Sequence, residues 1–598
     1  MAEEQNRKTG AENVTWNLGD LYQGSTDHRF EADQKGAEER AQVLAQQFKG
    51  RISTLGEQEM ERLLSAYESI VEMIEKPSTF AALDWSGNTE DPARGALLQR
   101  LTEQSSRLAQ ILVFVALEWA NAPEEHARKL MESPLLAKWR HWLEITRRYR
   151  PFLLTEAEEK LLREKAVTGR EAWVRYFEET QGATLYAWEG RSVPQQEILN
   201  KLYNPDREVR HRAADALTAG LRGIQRSATY VFNTLLADKA SDDRLRGYPA
   251  WISARNLDNQ VNDATVEALV SAVTSRYDIV ARYYRLKKKI MGTDELFDYD
   301  RYAPIAAQES FYTWSDARQI VLSAYRKFHP RMAEIASLFF DKGWIDAGLR
   351  RGKRGGAFSS PCVPSVHPYV LLSYQGTTND VMTLAHELGH GVHQYLARDR
   401  GILQQSTPLT TAETASTFGE SLVFHDMYAR EENRSVRLAM LVREIESAFA
   451  TIFRQIAMNR FEQGIHTARR AEGELTLERF SHLWLDTQKQ MFGGSVTLRE
   501  DYGIWWSYIY HFLFAPGYVY AYAFGELLVR ALYSRYQKAG PEFADAYLSV
   551  LAAGGSEWPH KLMAGLHVDL TDPGFWAEGL GLLEDMVRNA EDLAGHSA

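Results

Sequence analysis

Apolar residues recur at three- and four-residue spacing along most of this chain, and that periodicity confines it to a fold built from amphipathic helices. The segments near 32–75, 94–121, 155–181, 193–240, 262–292, 314–341, 435–471 and 522–538 all carry it. Leu438, Leu441, Ile445, Phe449, Ile452 and Ile456 form one such stripe, of the kind a helix turns toward a core. Proline and glycine punctuate the runs, but no short-period repeat or low-complexity linker marks a strict two-domain split. At 598 residues the chain is long enough for several lobes. The expected fold class is mainly α.

Composition removes several kinds of function. A net charge of -11 leaves no basic face for nucleic acid. The run Arg350-Arg351-Gly352-Lys353-Arg354 is short and reads as a solvated loop. Cys362 is the one cysteine, so neither an internal disulfide nor a thiolate-rich zinc site is open to the chain. The opening residues MAEEQNRKTGAEN contain no apolar run, and no stretch reaches transmembrane length. The expectation is a cytoplasmic protein with no membrane and no nucleic-acid partner. Its 15 Trp and 28 Tyr read chiefly as packing residues.

One region departs from helical spacing. Between Gly356 and Gly376, Tyr369–Tyr374 is a short β-like run and Ala357–Val363 its candidate partner. Thr377-Thr378-Asn379-Asp380 are all capping types. The helix they announce has Val381, Leu384, Leu388, Val392 and Tyr395 on its apolar face. His386 and His390 lie four apart on that helix and so share a face. Two imidazoles so placed can hold one metal ion. Glu387 beside them is positioned to take a proton from the attacking water and pass it to a leaving amine. Zinc fits this donor chemistry. Gly389 and Gly391 each cost about 1 kcal/mol against alanine in a helix interior, which close approach of another backbone or of substrate would justify.

A third protein ligand is needed. His393 lies on a similar face, but the longer motif that continues this pattern wants glycine at 393 and histidine at 396, where this chain has His393 and Leu396. His393 therefore reads as a packing or supporting residue. After a break at Asp399-Arg400-Gly401 and a loop ending at Pro408, a helix starting near Thr410 brings Glu413 and Glu420 opposite the histidines. Spacing alone does not choose between them.

Several segments together resemble oligoendopeptidase F, within the thimet oligopeptidase family of zinc metallopeptidases. They are WNLGDLY (16–22), KRGGAFSS (353–360), PYVLLSYQGTTNDVMTLAHELGHGVHQ (368–394), TAETASTFGE (411–420) and HFLFAPGYVYAYAFGE (511–526). The resemblance implies one zinc per chain held by His386, His390 and Glu413, with Glu387 as general base and Glu420 supporting a ligand. It implies that His511 and Tyr518, with Tyr522 as a further candidate, donate hydrogen bonds to the tetrahedral intermediate. It also implies a lobed, mainly α metallopeptidase with a deep substrate channel and a small β-sheet beside the zinc-binding helix. On that basis the chain divides into an N-terminal helical lobe, 1–195, and a catalytic region, 196–598. The partners would be short unstructured peptides, paired in extended form with the free edge of Tyr369–Tyr374. Two other readings use the same scaffold: a peptide-binding protein without turnover, and a carboxydipeptidase-like hydrolase. Metal content and product mapping separate them.

Glu387→Gln keeps the shape of the side chain and removes its basicity. The variant is expected to retain metal and lose about 10²–10⁴-fold in turnover, and a loss below about tenfold with metal retained would remove Glu387 from the role of base. Metal analysis beside a peptide-cleavage assay measures both.

Overall fold

The computed structural model describes residues 8–305 and 310–595; the first seven residues of the polar opening stretch lie outside them. Helices dominate. Each segment expected to be helical is so, apart from short breaks. Pro330 divides 314–341 into Trp314–Phe328 and Pro330–Asp341, because proline cannot donate the backbone bond a continuous helix requires. Segment 435–471 bends at Ile452 into Arg434–Thr451 and Phe453–Glu472, so the stripe from Leu438 to Ile456 crosses the bend. One element escapes the periodicity altogether. Leu185–Trp188 pairs antiparallel with Arg191–Pro194 through a two-residue turn in which Glu189 and Gly190 both have positive φ (48° and 77°). Glutamate at the first turn position hides a hairpin that Asn-Gly or Asp-Gly would have announced.

The chain packs as two compact units. One comprises Met1–Pro151, Glu309–Arg430 and Arg535–Asp569; the other comprises Phe152–Gln308, Glu431–Ser534 and Leu570–Ala598. In the first, an apolar cluster between helices His28–Phe48 and Glu57–Gly87 closes over Trp119 and Trp139. In the second, Phe232, Phe480, Trp484, Trp505 and Trp506 are all buried, with Phe480 stacked on Trp506 at 4.6 Å. Among the described residues no helix is long and apolar enough to cross a membrane.

The small sheet of the first unit has the order Ile345–Asp346, Tyr369–Leu371, Phe358–Ser360. Tyr369–Leu371 is therefore the middle strand, parallel to Ile345–Asp346 and antiparallel to Phe358–Ser360, and the free edge expected there is taken. A two-residue strand is too short to show in a period-two pattern. The edge left open belongs to Phe358–Ser360. The basic run is also more buried than expected. Arg351 is solvated, but the Lys353 side chain is 2% exposed and donates to the carbonyls of Asp346, Gly348 and Leu372 while pairing with the Asp346 carboxylate at 2.7 Å. The opening segment lies along the same sheet. The Val14 carbonyl accepts from Ala347 and Gly348, and the Tyr369 hydroxyl donates to the Asn17 carbonyl.

Thr377 caps the helix Thr378–Ala397: its hydroxyl accepts from Asp380 N–H, and the Asp380 carboxylate accepts from Thr377 N–H. Val381, Leu384, Leu388 and Val392 are fully buried. Helix Thr414–Arg430 brings the backbone of Ala415 and Ser416 against it at Gly389, which has no side chain. A Cβ on Gly389 would stand 2.4 Å from the Ala415 carbonyl oxygen and 2.7 Å from Ser416 Cα. Gly391 is closed off by the Phe339 ring, which a Cβ there would meet at 2.6 Å. Close approach thus accounts for both glycines. Gly389→Ala is expected to destabilise the protein by about 1–3 kcal/mol through overpacking, although alanine is the better helix former by about 1 kcal/mol. Gly223→Ala, in a helix with open space at that position, should show the propensity gain alone. Denaturant melts of the two variants check the pair; a neutral Gly389→Ala would contradict the close crossing.

Candidate metal centre

The crossing of the two helices sets three donors together. Glu413 sits at the joint between a one-turn helix, Leu409–Ala412, and Thr414–Arg430. Its Oε2 lies 3.3 Å from His386 Nε2 and 3.4 Å from His390 Nε2, and it accepts from the Ser416 hydroxyl at 2.8 Å. Among the described residues this trio is the group able to hold a metal ion, with all three donor atoms within 4.8 Å of one another. Glu420, one helical stretch further on, lies 3.3 Å from the other nitrogen of His386, Nδ1. A carboxylate on the outer imidazole nitrogen fixes ring orientation and tautomer in metal sites.

Two buried tyrosines hold the helix backbones at this point. The Tyr325 hydroxyl donates to the Ala385 carbonyl at 2.6 Å, one residue before His386. It occupies the space above Gly419, where a Cβ would come within 2.3 Å of it. The Tyr547 hydroxyl donates to the Thr414 carbonyl at 2.8 Å, one residue after Glu413, and its ring stacks on Phe418. Sequence reasoning missed both tyrosines. The available signal was Gly419, a mid-helix glycine that, like Gly389, needed a close neighbour.

Electrostatics follow from burial and these partners. Burial opposes charge on Glu413, but the bonds from His386 and His390 prevail and hold its carboxyl well below the usual range. Burial likewise disfavours charge on His386, while Glu413 and Glu420 raise its pKa above the ordinary value. Glu387 is 6% exposed, and burial pushes its carboxyl up, moderated by the two histidines. His393, also buried, is driven down to about 4 by desolvation and by His390, which makes it a neutral packing residue outside the donor trio.

His386, Glu387, His390 and Glu413 line one side of a cleft of about 420 Å³, and Phe358 and Ser359 line another. Val370 donates its N–H to the Trp344 carbonyl, so its backbone groups face the Ile345 strand. Ser359, opposite Val370 in an antiparallel pair, must turn its own N–H and C=O outward. Gln394 meets Ser359 there. Its amide donates to the Ser359 carbonyl at 3.4 Å and its oxygen accepts from the Ser359 hydroxyl at 2.8 Å. His386, His390 and Gln394 are successive i,i+4 positions on one helical face.

The remaining sequence candidates form a cluster in the second unit. His511 Nε2 lies 3.3 Å from the Tyr522 hydroxyl. The Tyr518 ring is 5.1 Å from that of Tyr522 and 6.1 Å from that of His511. Tyr520, between them in sequence, is fully buried and accepts from Asn259 at 2.9 Å, a packing role.

Comparison with known proteins assigns the class. The profile of peptidase family M3 matches residues 201–582, and one described as oligopeptidase F matches residues 118–184. The chain belongs to peptidase family M3 and is a metallo-endopeptidase. It is 26% identical to oligopeptidase PepF of Bacillus subtilis over 589 residues, covering 97% of this chain and 87% of that one. It is 24% identical to an oligoendopeptidase F homolog of Lactococcus lactis subsp. lactis over 612 residues, covering 98% of each. The crystal structure of oligoendopeptidase-F from Enterococcus faecium matches with a TM-score of 0.70 at 21% identity, over 95% of this chain and 99% of that one. A crystal structure from Chlamydophila abortus matches with a TM-score of 0.90 at 23% identity, over 98% and 100%. These structural likenesses establish the fold.

The two carboxylates around His386 are expected to separate by experiment. Glu413→Gln should leave the site nearly empty of metal, while Glu420→Gln should weaken binding by about 10–100-fold. Chelator-competition titrations read both, and a full site in Glu413→Gln with an empty one in Glu420→Gln would reverse the assignment.

Proposed function

We propose that this peptidase is a zinc-dependent oligopeptidase that cuts internal bonds of short, unstructured peptides. The observation that carries the reading is the convergence of His386 and His390 Nε2 on Glu413 Oε2 at 3.3 and 3.4 Å. Donors bound tetrahedrally at the usual zinc distances of ~2.0–2.1 Å stand roughly 3.3 Å apart, so each imidazole nitrogen stands from the carboxylate as two zinc ligands would. When bound, zinc supplies a lowered pKa for water and a polarised scissile carbonyl.

The chain's own residues do the rest. Glu413 balances the charge of the centre, and Glu420 orients the His386 ring. Glu387, its carboxyl raised by burial, takes the proton of the attacking water and delivers it to the leaving amine. An extended peptide pairs with the outward N–H and C=O of Ser359, which read backbone and not side chains. Tyr518 and His511 donate to the carbonyl oxygen as negative charge grows on it, and Tyr522 holds His511 through its hydroxyl. The preference for short peptides follows the names of the relatives, oligopeptidase and oligoendopeptidase.

Chelation is expected to abolish cleavage and added zinc to restore it. Tyr518→Phe should lower kcat by about 10²–10³-fold, the usual loss of one such donor, with KM and melting temperature little changed. Steady-state kinetics on a quenched fluorescent peptide, beside a thermal melt, test this; an unchanged kcat would shift the donor role to Tyr522.

A further inference from the structure

Tyr518 ends a tight turn, and that turn is gripped from inside the second unit. Tyr518 N–H donates to the Ala515 carbonyl at 3.0 Å, with Pro516 and Gly517 between them and Gly517 at φ +73°. Proline followed by a left-handed glycine defines a type II turn. A type I turn on the same four residues would rotate the peptide plane between Pro516 and Gly517 by about half a revolution and send the following residue off differently.

Both polar ends of that plane are held. Arg255 Nε donates to the Pro516 carbonyl at 3.3 Å. The Gly517 N–H donates to Glu462 Oε1 at 2.9 Å. Arg255 also sets its guanidinium over the Tyr518 ring, 5.9 Å from the centroid. Gly517 has no room for a side chain: a Cβ would meet Ile252 at 3.2 Å and Arg255 Cβ at 3.4 Å. Glu462 is wholly buried on helix Phe453–Glu472, and its Oε2 has no hydrogen-bond partner. Burial raises its carboxyl to about 8; the neutral acid still offers a carbonyl oxygen to Gly517. One turn further on, His466 is also buried and stacks on Trp251 at 4.7 Å. A position that only filled space here would hold an apolar side chain without the desolvation penalty.

We propose that Glu462 is a positioning residue for Tyr518: by holding the Gly517 N–H it keeps the Pro516–Gly517 peptide in the type II orientation and so sets where the Tyr518 phenol points. This rests on the oxyanion role proposed above for Tyr518. Small displacements of an aligned group cost up to about 10²-fold in rate. Glu462→Met removes the acceptor at similar volume and is expected to lower kcat by about tenfold or more, with KM within about twofold. Glu462→Gln keeps an acceptor and should restore kcat to within about threefold of the parent enzyme. In the Tyr518→Phe background, Glu462→Met should add almost nothing, because the two changes act through one phenol.

Kinetics of the three single variants and the double variant, with a melt of each, provide the test. Parental kcat in Glu462→Met, or losses that multiply in the double variant, would overturn the positioning role. Should Glu462→Met not fold, Glu462→Asp withdraws the acceptor by one methylene and serves the same comparison. An unchanged kcat in Tyr518→Phe defeats the oxyanion reading itself. Amide hydrogen exchange over 515–520 separates that failure from the other, since exchange quickens in Glu462→Asp only if Glu462 holds the turn.

Discussion

Everything at the candidate centre depends on two helix backbones touching. Gly389 lies directly against the Ala415 carbonyl and Ser416 Cα, and this contact leaves no freedom in how far Glu413 stands from His386 and His390. A single methyl group on Gly389 would force one backbone away from the other. Tyr325 and Tyr547 then lock the helices against sliding, each by one hydrogen bond to a carbonyl adjacent to a donor residue. The rigidity that a metal site needs therefore comes from backbone proximity and two buried phenols.

The same packing decides the electrostatics. His386 is gripped on both nitrogens by carboxylates, so its ring can neither turn nor change tautomer freely. Glu387, next in sequence, lines the cleft with little exposure to solvent, and burial raises its carboxyl. Two carboxyls that the helix crossing brings to one site are thereby pushed toward opposite behaviour: Glu413 is held ionised by its imidazoles, and Glu387 is made readier to accept a proton. Separated carboxyl environments of this kind are how hydrolytic sites divide labour between groups of one chemical type.

The helical class, the capped helix at 377 and the shared face of His386 and His390 were legible because each needs only local spacing. The choice between Glu413 and Glu420 was not, and the reason is geometric. Both reach the same imidazole, one at Nε2 and one at Nδ1, so a helical face cannot tell them apart without knowing which nitrogen faces the cleft. The edge strand was misplaced because Ile345–Asp346 is too short for a pattern. The hairpin at 185–194 was missed because Glu189 adopts a left-handed conformation that glutamate seldom takes. Lys353 was read as solvated because its burial depends on carbonyls from two separate stretches of the chain, at Asp346 and Gly348 and at Leu372. The missing information was a backbone conformation in the hairpin and contacts between separate stretches of chain elsewhere, and periodicity encodes neither.

The bridge between Gln394 and Ser359 ties the open strand edge to the helix one turn beyond His390. Edge and histidines consequently form a single graduated scale. Any chain laid along that edge advances in steps of about 3.4 Å per residue, and only whole steps are allowed because the backbone bonds fix its register. If a peptide pairs there as proposed, its position against the histidines is counted in residues along its backbone, a form of measurement indifferent to which side chains the residues bear.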